Sequence, residues 1–201
     1  MTKNVDNAYN NIFNNWNEFR RNSPVNKCVV EFSKLLKPGA QVLDVGCGTG
    51  QPIAQFLSCS GFHVTGIDIS EKMVEHASSL NLPNCKFMLC DILNFCPKEK
   101  YDAVVAFDSL WHIEHDAQAK IYNKLGTLLN AGGYLLFTHG KTDGEVVGEM
   151  FGEKFYYSAL DLDHLKNLLN KSGFEIVQCL ENYKDETTGT RDLLIVAQKN
   201  R

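Results

Sequence analysis

Three aspartates at the ends of consecutive apolar segments have the residue type and spacing to hold a cationic ligand. Asp44 lies inside one such segment, and Asp68 and Asp91 follow the next two. A carboxylate buried in a strand costs several kcal/mol unless a partner compensates its charge. A cationic group of a ligand is one such partner for Asp44, and a structural Arg, Lys or backbone N–H is the alternative.

A glycine-rich loop follows Asp44 and supplies a backbone that a ligand can approach closely. It reads Gly46-Cys47-Gly48-Thr49-Gly50, and glycine permits positive φ and leaves no Cβ in the way. A dinucleotide fingerprint would have its third glycine where Gln51 stands, and no G-K-[ST] phosphate motif follows. The loop also lacks Lys and Arg. Together with the aspartates, these features favour a ligand with positive charge over a pyrophosphate.

The two later aspartates match the contacts of an adenosine group. Asp68 lies 18 positions beyond Gly50, which matches an acidic residue that accepts both ribose hydroxyls. A carboxylate that interacts with the dipole of the next helix is the alternative. Ile69 would flank the base. Asp91 could accept from an exocyclic amine beside an apolar contact from Ile92, or it could be a solvated loop carboxylate.

The composition indicates a soluble globular protein and excludes several classes. The 201 residues carry a net charge of −4, which gives no electrostatic reason to expect nucleic acid as a partner. No apolar run approaches the ~20 residues of a membrane span, and the N-terminus has no apolar signal core, so we expect a cytoplasmic protein without a membrane partner. Seven cysteines without C-x-x-C spacing predict reduced thiols.

Alternating apolar strands and amphipathic helices predict an α/β fold that positions these residues. Within one domain of 201 residues, 1–38 are predicted to form an N-terminal helical cover and 39–201 an α/β core. A helix from about Glu114 is predicted to end at Ala131–Gly133, and a polar turn at 186–190 separates the last two strands. This alternation predicts a mostly parallel, doubly wound sheet, in which ligands bind beyond the carboxyl ends of the strands.

Four motifs occur in order along this predicted core. They are VLDVGCGTG from Val42, GIDIS from Gly66, CDI from Cys90 and YDAVVAFDSLWHI from Tyr101. Together they resemble the class I S-adenosylmethionine-dependent methyltransferases, and the later LLNAGGYLLF, KSGFEIV and LLIVAQK resemble that family's last strands. The resemblance implies a Rossmann-like, seven-stranded sheet whose last strand is antiparallel. It also implies S-adenosylmethionine as cofactor and S-adenosylhomocysteine as product.

The resemblance assigns cofactor contacts by position. At the methionine end they are Asp44, near the amino group, and the loop residues Gly46, Cys47, Gly48 and Gly50. At the adenosine end they are Asp68 for the ribose, with Ile69, Asp91 and Ile92 around the adenine. Near the sulfonium and its methyl group they are Phe107 and Asp108.

The segment 107–112 bears on the acceptor and on a base. It reads FDSLWH and lacks the N-P-P-Y or D-P-P-Y motif of relatives that methylate amino groups, so the resemblance favours a small-molecule acceptor, with Trp111 beside it. Methyl transfer is an in-line displacement in which the protein supplies orientation and sometimes removes a proton. His112 is the first candidate base and His139 the second, each with a structural histidine as the alternative. His112 and His115 also have H-x-x-H spacing, but no third ligand is evident and no metal is predicted.

The N-terminal helix and a glycine-rich insert are predicted to border the acceptor. Tyr9, Trp16 and Arg20 would cover the pocket, with Arg20 or Arg21 pairing a carboxylate, or the helix would dock on the sheet edge with solvated arginines. The insert 139–157 is either a lid with Phe155, Tyr156 and Tyr157 facing the pocket or a plain surface loop with a strand-like tail.

We therefore expect a monomeric or homodimeric methyltransferase that acts on a small molecule by direct displacement. Three alternatives stay open. One is a nicotinamide-dependent oxidoreductase, against which Gln51 argues. The others are a catalytically silent protein that binds S-adenosylmethionine, and a methyltransferase that acts on a protein or RNA.

Overall fold

The computed structural model describes residues 4–185 and 189–201, and its strands form two sheets. The strands of the main sheet are β1 (Gln41–Val45), β2 (His63–Asp68), β3 (Cys85–Leu89), β4 (Tyr101–Ala106), β5 (Leu129–His139), β8 (Phe174–Asp185) and β9 (Gly189–Lys199). They lie in the order β3-β2-β1-β4-β5-β9-β8. A separate two-stranded sheet consists of β6 (Gly144–Met150) and β7 (Glu153–Ala159).

The helices cover the faces and the carboxyl edge of the main sheet. They are α1 (Val5–Arg21), α2 (Lys27–Ser33), α3 (Ile53–Cys59), α4 (Glu71–Ser79), α5 (Gln118–Leu128) and α6 (Leu162–Lys171). Two short 3-10 segments, Leu110–His112 and His115–Ala117, precede α5. Within the described ranges, no helix has the length and apolarity needed to cross a bilayer.

The strand directions bring the predicted site residues to one edge of the sheet. β1 pairs in parallel with β2 and β4, whereas β9 runs antiparallel to β5 and β8. This confirms the predicted seven-stranded sheet with an antiparallel last strand. Because β1 to β4 run in the same direction, their carboxyl ends meet, and the register places Asp44 beside Gly66 and Asp68 beside Leu89.

The central strand β1 is buried on both faces. Side chains alternate along a strand, so Val42 packs with Phe32 and Leu57 on one face, while Leu43 packs with Tyr122 on the other. Burial of each large apolar side chain contributes about 1.5–3 kcal/mol relative to exposure. The two packed faces keep water away from the end of β1, where Asp44 lies.

The N-terminus of α4 is held by a cap that also fastens α1. The Ser70 Oγ accepts a hydrogen bond from the Met73 backbone N–H at 3.3 Å. The same hydroxyl donates to the Asn10 Oδ1 of α1 at 2.8 Å, and that oxygen also accepts from the Lys72 N–H at 3.1 Å. The helix α1 is thereby fixed across the start of α4.

The predicted end of α5 is wrong. The helix ends at Leu128 and not at Ala131–Gly133, because Leu129 already pairs with Tyr101 at the start of β5. A Cβ on Gly133 would lie 2.9 Å from a carbonyl oxygen of β4. The glycine therefore permits the close, irregular pairing of β4 with β5.

The insert 139–157 is largely a regular hairpin. Its strands β6 and β7 pair antiparallel and are joined by Phe151-Gly152. Phe155 and Tyr156 of β7 pack in one apolar cluster with Ile12 of α1. Of the predicted polar turn, residues 186–188 lie outside the described part of the chain.

The substitution Gly66→Ala tests the packing of the site-bearing edge. A Cβ at this position in β2 would lie 2.6 Å from the Phe87 ring and 2.9 Å from the Cys47 Sγ. Overpacking of this kind costs about 1–3 kcal/mol, so we expect the free energy of unfolding in urea to fall by that amount. Adding Phe87→Leu should recover part of the loss, and an unchanged stability of Gly66→Ala would contradict the packing described.

Candidate active site

The glycine loop at the end of β1 adopts a backbone that side chains would obstruct. Gly46, Gly48 and Gly50 have φ values of 74°, 53° and 76°, a region that glycine enters without strain. The N–H of Gly46 donates to the Ile67 carbonyl oxygen at 2.8 Å, and a Cβ on Gly46 would overlap the Ser109 side chain. The loop therefore stays close to β2 and leaves an open space in front of it.

That space is a cavity of about 480 Å³, within the usual range for small-molecule sites. It is bounded by the carboxyl ends of β1 to β4, by α1 and by the tip of the β6–β7 hairpin. All predicted cofactor residues except Gly50 line this cavity. All predicted substrate residues except Phe155 and Tyr156 line it as well, and His112 is the one of the two candidate bases that does so.

Four predicted site residues thus lie elsewhere, of which Phe155 is fully buried in the apolar cluster of α1 and β7. Gly50 packs behind the loop, where a Cβ would lie 2.9 Å from an aromatic ring of β3. His139 is fully buried in the core, with its ring centre 6.2 Å from that of Tyr122. Tyr156 directs its hydroxyl to the His115 backbone N–H at 3.0 Å. The side chains of His139 and Tyr156 thus point away from the cavity, and Gly50 lies behind the loop.

Asp44 is a buried carboxylate with one oxygen that lacks a hydrogen bond. It is 2% exposed, and its Oδ2 has no hydrogen bond among the described residues. Burial raises the pKa of Asp44, the nearby Asp68 adds to the rise and Arg20 opposes it, so that the pKa is about 7. Of the structural partners considered as alternatives, Arg20 acts on Asp44 through its charge, and the Oδ2 keeps the unsatisfied capacity that a cationic ligand would fill.

Arg20 brings a buried cation to the same cavity. Its side chain is 6% exposed, and its guanidinium carbon lies 5.9 Å from the centre of the Trp16 ring. No hydrogen bond or ion pair joins this side chain to another described residue, and burial lowers the pKa of Arg20. Asp44 and Arg20 therefore offer one negative and one positive group to a ligand that carries both charges.

The carboxylates at the adenosine end already have backbone partners. The Asp68 Oδ2 accepts from the Gly48 N–H at 2.8 Å, and its Oδ1 accepts from the Ser70 N–H at 2.9 Å. Burial raises the pKa of Asp68, while these hydrogen bonds oppose the rise. Asp91 accepts from the Leu93 N–H at 2.9 Å. Each carboxylate keeps further lone pairs for a ligand, because a carboxylate accepts about four hydrogen bonds.

His112 is held in one tautomer by the hairpin. Its Nδ1 lies 2.8 Å from the Tyr156 carbonyl oxygen, which only accepts, so the proton is on Nδ1. The Nε2 then accepts from the Tyr9 hydroxyl at 2.9 Å and from the Trp111 Nε1–H at 3.2 Å. Burial lowers the pKa of His112 to about 4. The Nε2 of His115 faces Asp143 instead, at 3.1 Å, so the two histidines do not converge as zinc ligands would.

An arginine from the last strand was missed by the sequence reasoning. The guanidinium of Arg191 donates from Nε to the Asp108 Oδ1 at 2.6 Å and from Nη2 to Oδ2. It also lies 5.9 Å from the Phe107 ring centre and 5.7 Å from that of Trp111. The sequence did offer a signal, because Arg191 is a charged residue near the start of β9, and the start of this antiparallel strand lies at the carboxyl edge of the parallel strands. Phe151 of the hairpin, which was not predicted to face the pocket, lines the cavity as well, together with Tyr157, which was.

The comparisons with known proteins agree with this architecture. A family model described as a methyltransferase domain matches residues 36–193. The O-methyltransferase rstn1 of Aspergillus nomiae is 29% identical over 151 residues, which cover 70% of this chain and 66% of that protein. The ubiquinone biosynthesis O-methyltransferase of Albidiferax ferrireducens is 30% identical over 129 residues, 60% of this chain and 50% of that protein. This chain thus spans less than two thirds of the length of these relatives.

A solved structure shares the fold over nearly the whole chain. The magnesium protoporphyrin IX methyltransferase of Synechocystis PCC 6803, crystallised with S-adenosylhomocysteine, superposes with a TM-score of 0.75 at 22% identity and covers 99% of both chains. Because the family model spans most of the sequence, this chain belongs to the methyltransferase domain family.

Proposed function

We propose that this protein transfers a methyl group from S-adenosylmethionine to a small-molecule acceptor. The observation that carries the proposal is the buried carboxylate of Asp44 beside the glycine loop, whose Oδ2 has no hydrogen bond among the described residues. An ammonium group is the partner that such a carboxylate lacks, and S-adenosylmethionine carries one. Support comes from the names of the O-methyltransferase relatives and from the S-adenosylhomocysteine bound to the structural neighbour.

The proposed cofactor position follows from the charges along the cavity. The methionine ammonium group would face Asp44, and its carboxylate would face the guanidinium of Arg20, both of which line the cavity. The ribose hydroxyls would donate to the remaining lone pairs of Asp68, and the adenine would lie between Asp91 and Ile92. The role of each residue is part of the proposal, as are the monomeric or homodimeric state and the cytoplasmic location.

The proposed chemical step is a direct in-line displacement. The acceptor atom attacks the methyl carbon, the carbon–sulfur bond breaks, and its electron pair stays on sulfur. For a hydroxyl acceptor, the proton would pass to the Tyr9 oxygen while the Tyr9 proton passes to the His112 Nε2, 2.9 Å away. The sulfonium loses its charge as the imidazole gains one, so the total charge of the buried site is unchanged. This exchange offsets the low basicity that burial gives to His112.

Incubation with methyl-tritiated S-adenosylmethionine and a cell extract tests the proposal. We expect label in the low-molecular-weight fraction, and Asp68→Ala should lower S-adenosylmethionine affinity about tenfold or more, because charge-assisted hydrogen bonds contribute about 1.5–3 kcal/mol. The matched control is Asp163→Ala, which removes an exposed carboxylate from α6. Label in protein or RNA would contradict the acceptor class. Tight binding without any transfer would indicate the catalytically silent alternative, and unchanged affinity in Asp68→Ala would refute the ribose assignment.

The variant Tyr9→Phe tests the proposed proton path. Loss of the hydroxyl that bonds His112 should lower kcat at saturating acceptor by about 100-fold, a common size for a lost acid–base group. S-adenosylhomocysteine affinity should change little, since the Phe ring keeps the apolar contacts. Tyr122→Phe is the control, because that tyrosine is fully buried away from the cavity. Equal turnover in Tyr9→Phe and wild type would show that no proton leaves through this pair.

A further inference from the structure

The part of the cavity beyond the proposed cofactor position has walls of aromatic and apolar side chains. It is bounded by α1, by the segment after β4 and by the hairpin tip; the wall residues are Trp16, Phe19, Trp111, Met150, Phe151 and Tyr157. These rings pack against one another and against Tyr9. The ring centres of Trp111 and Tyr157 are 6.2 Å apart, and those of Tyr9 and Trp16 are 5.8 Å apart. This compartment is where an acceptor would reach the transferred methyl group.

The hairpin tip holds a bulky ring in a backbone conformation that bulky residues avoid. Phe151 and Gly152 form a two-residue turn with φ values of 52° and 82°. Turns with two positive φ values strongly prefer Asn or Asp before Gly, and a bulky residue with positive φ is an outlier. Phe151 nevertheless occupies the position, is 48% exposed and lines the cavity. Local turn chemistry therefore does not explain a Phe at this position, whereas a contact with a ligand in the cavity would.

A second partly exposed ring of the cavity wall comes from another element. Phe19 of α1 is 45% exposed and also lines the cavity. Large apolar side chains that stay half-exposed around a concave site are typical of ligand-binding surfaces. Phe19 and Phe151 thus give the cavity an apolar rim on α1 and on the hairpin.

Three polar side chains of this compartment are already engaged in hydrogen bonds. The guanidinium of Arg191 is paired with Asp108, and Tyr9 and Trp111 both donate to His112. Of the charged groups on the cavity wall, four are carboxylates and two are guanidinium groups, an excess of two negative charges when all are ionised. S-adenosylmethionine would offset one of them. An anionic acceptor would therefore enter a site of unfavourable sign.

We propose that the acceptor is an uncharged, largely apolar aromatic molecule with a hydroxyl group. Its ring system would contact Phe19 and Phe151, and its hydroxyl would face Tyr9. The acceptor oxygen forms the new bond to the methyl carbon, the carbon–sulfur electron pair remains on sulfur, and the hydroxyl proton goes to the Tyr9–His112 pair. This inference rests on the proposed function and names the substrate class of the same site.

Calorimetric titration of the protein saturated with S-adenosylhomocysteine tests this acceptor class. The probes are 2-naphthol, which is uncharged at pH 7, and 2-naphthoate, which has a similar shape and a negative charge. We expect 2-naphthol to bind at least about tenfold more tightly, since the cavity wall carries an excess of carboxylates. Equal or tighter binding of 2-naphthoate would overturn the proposal, as would a failure of both probes to bind.

The substitution Phe151→Asn distinguishes a contribution of the Phe151 ring to acceptor binding from a contribution to the stability of the hairpin. Asn suits a positive φ, so the variant should unfold at the same or a higher temperature while its affinity for 2-naphthol falls about tenfold. Val146→Asn is the matched control, because Val146 lies on the same hairpin, is 62% exposed and does not line the cavity. Unchanged 2-naphthol affinity in Phe151→Asn would overturn the proposal. Absence of S-adenosylhomocysteine binding in the wild type would instead refute the proposed function on which it rests.

Discussion

The site depends on one costly placement, the carboxylate of Asp44 at the end of a strand that is buried on both faces. β1 is an interior strand of the sheet, and no described residue forms a hydrogen bond with the Asp44 Oδ2. The cost appears as a pKa of about 7, caused first by burial and then by Asp68. If this position served stability alone, an apolar residue in place of Asp44 would raise the free energy of unfolding. The residue is explained when a cationic ligand supplies the missing partner.

The surrounding elements make that interaction strong by keeping water out. The glycine loop lets a ligand approach β1, while α1 lies across the opening and is fastened to α4 through Asn10 and to the hairpin through Asn11, whose amide donates to the Glu153 carboxylate at 3.1 Å. Charges that face each other in such a dry site interact more strongly than in water. Tyr9 of α1 reaches His112, so the same helix that covers the cavity also completes the proposed proton path.

Much of this arrangement was predictable because it is local in the sequence. The periodicity of apolar residues predicted the strands of the main sheet. The spacing of Asp44, the glycine loop and Asp68 predicted that these residues lie together at the carboxyl edge of that sheet. Contacts between distant segments were not predictable in this way. Arg191 reaches Asp108 from 83 residues away, and Phe151 reaches the cavity only because the insert folds as a hairpin.

Four of the predicted site residues do not line the cavity. Gly50 lies behind the glycine loop, and Phe155 is buried in the apolar cluster of α1 and β7. The side chains of His139 and Tyr156 point away from the cavity. Adjacent residues of a strand face opposite sides, so Tyr157 lines the cavity while its neighbour Tyr156 bonds the His115 N–H. A sequence pattern predicts which helix or strand a residue belongs to, but it does not predict the direction in which that residue's side chain points.

The most direct test of the account measures protons released when S-adenosylhomocysteine binds. Free Asp44, with a pKa near 7, is mostly protonated at pH 6 and mostly ionised at pH 8, and an ammonium group facing it should drive it to the ionised form. Calorimetry in two buffers of different ionisation enthalpy should therefore show release of up to about one proton at pH 6 and little at pH 8. In Asp44→Asn the release at pH 6 should disappear. Tight binding of S-adenosylhomocysteine at pH 6 without proton release in the wild type would contradict the central role given to this carboxylate.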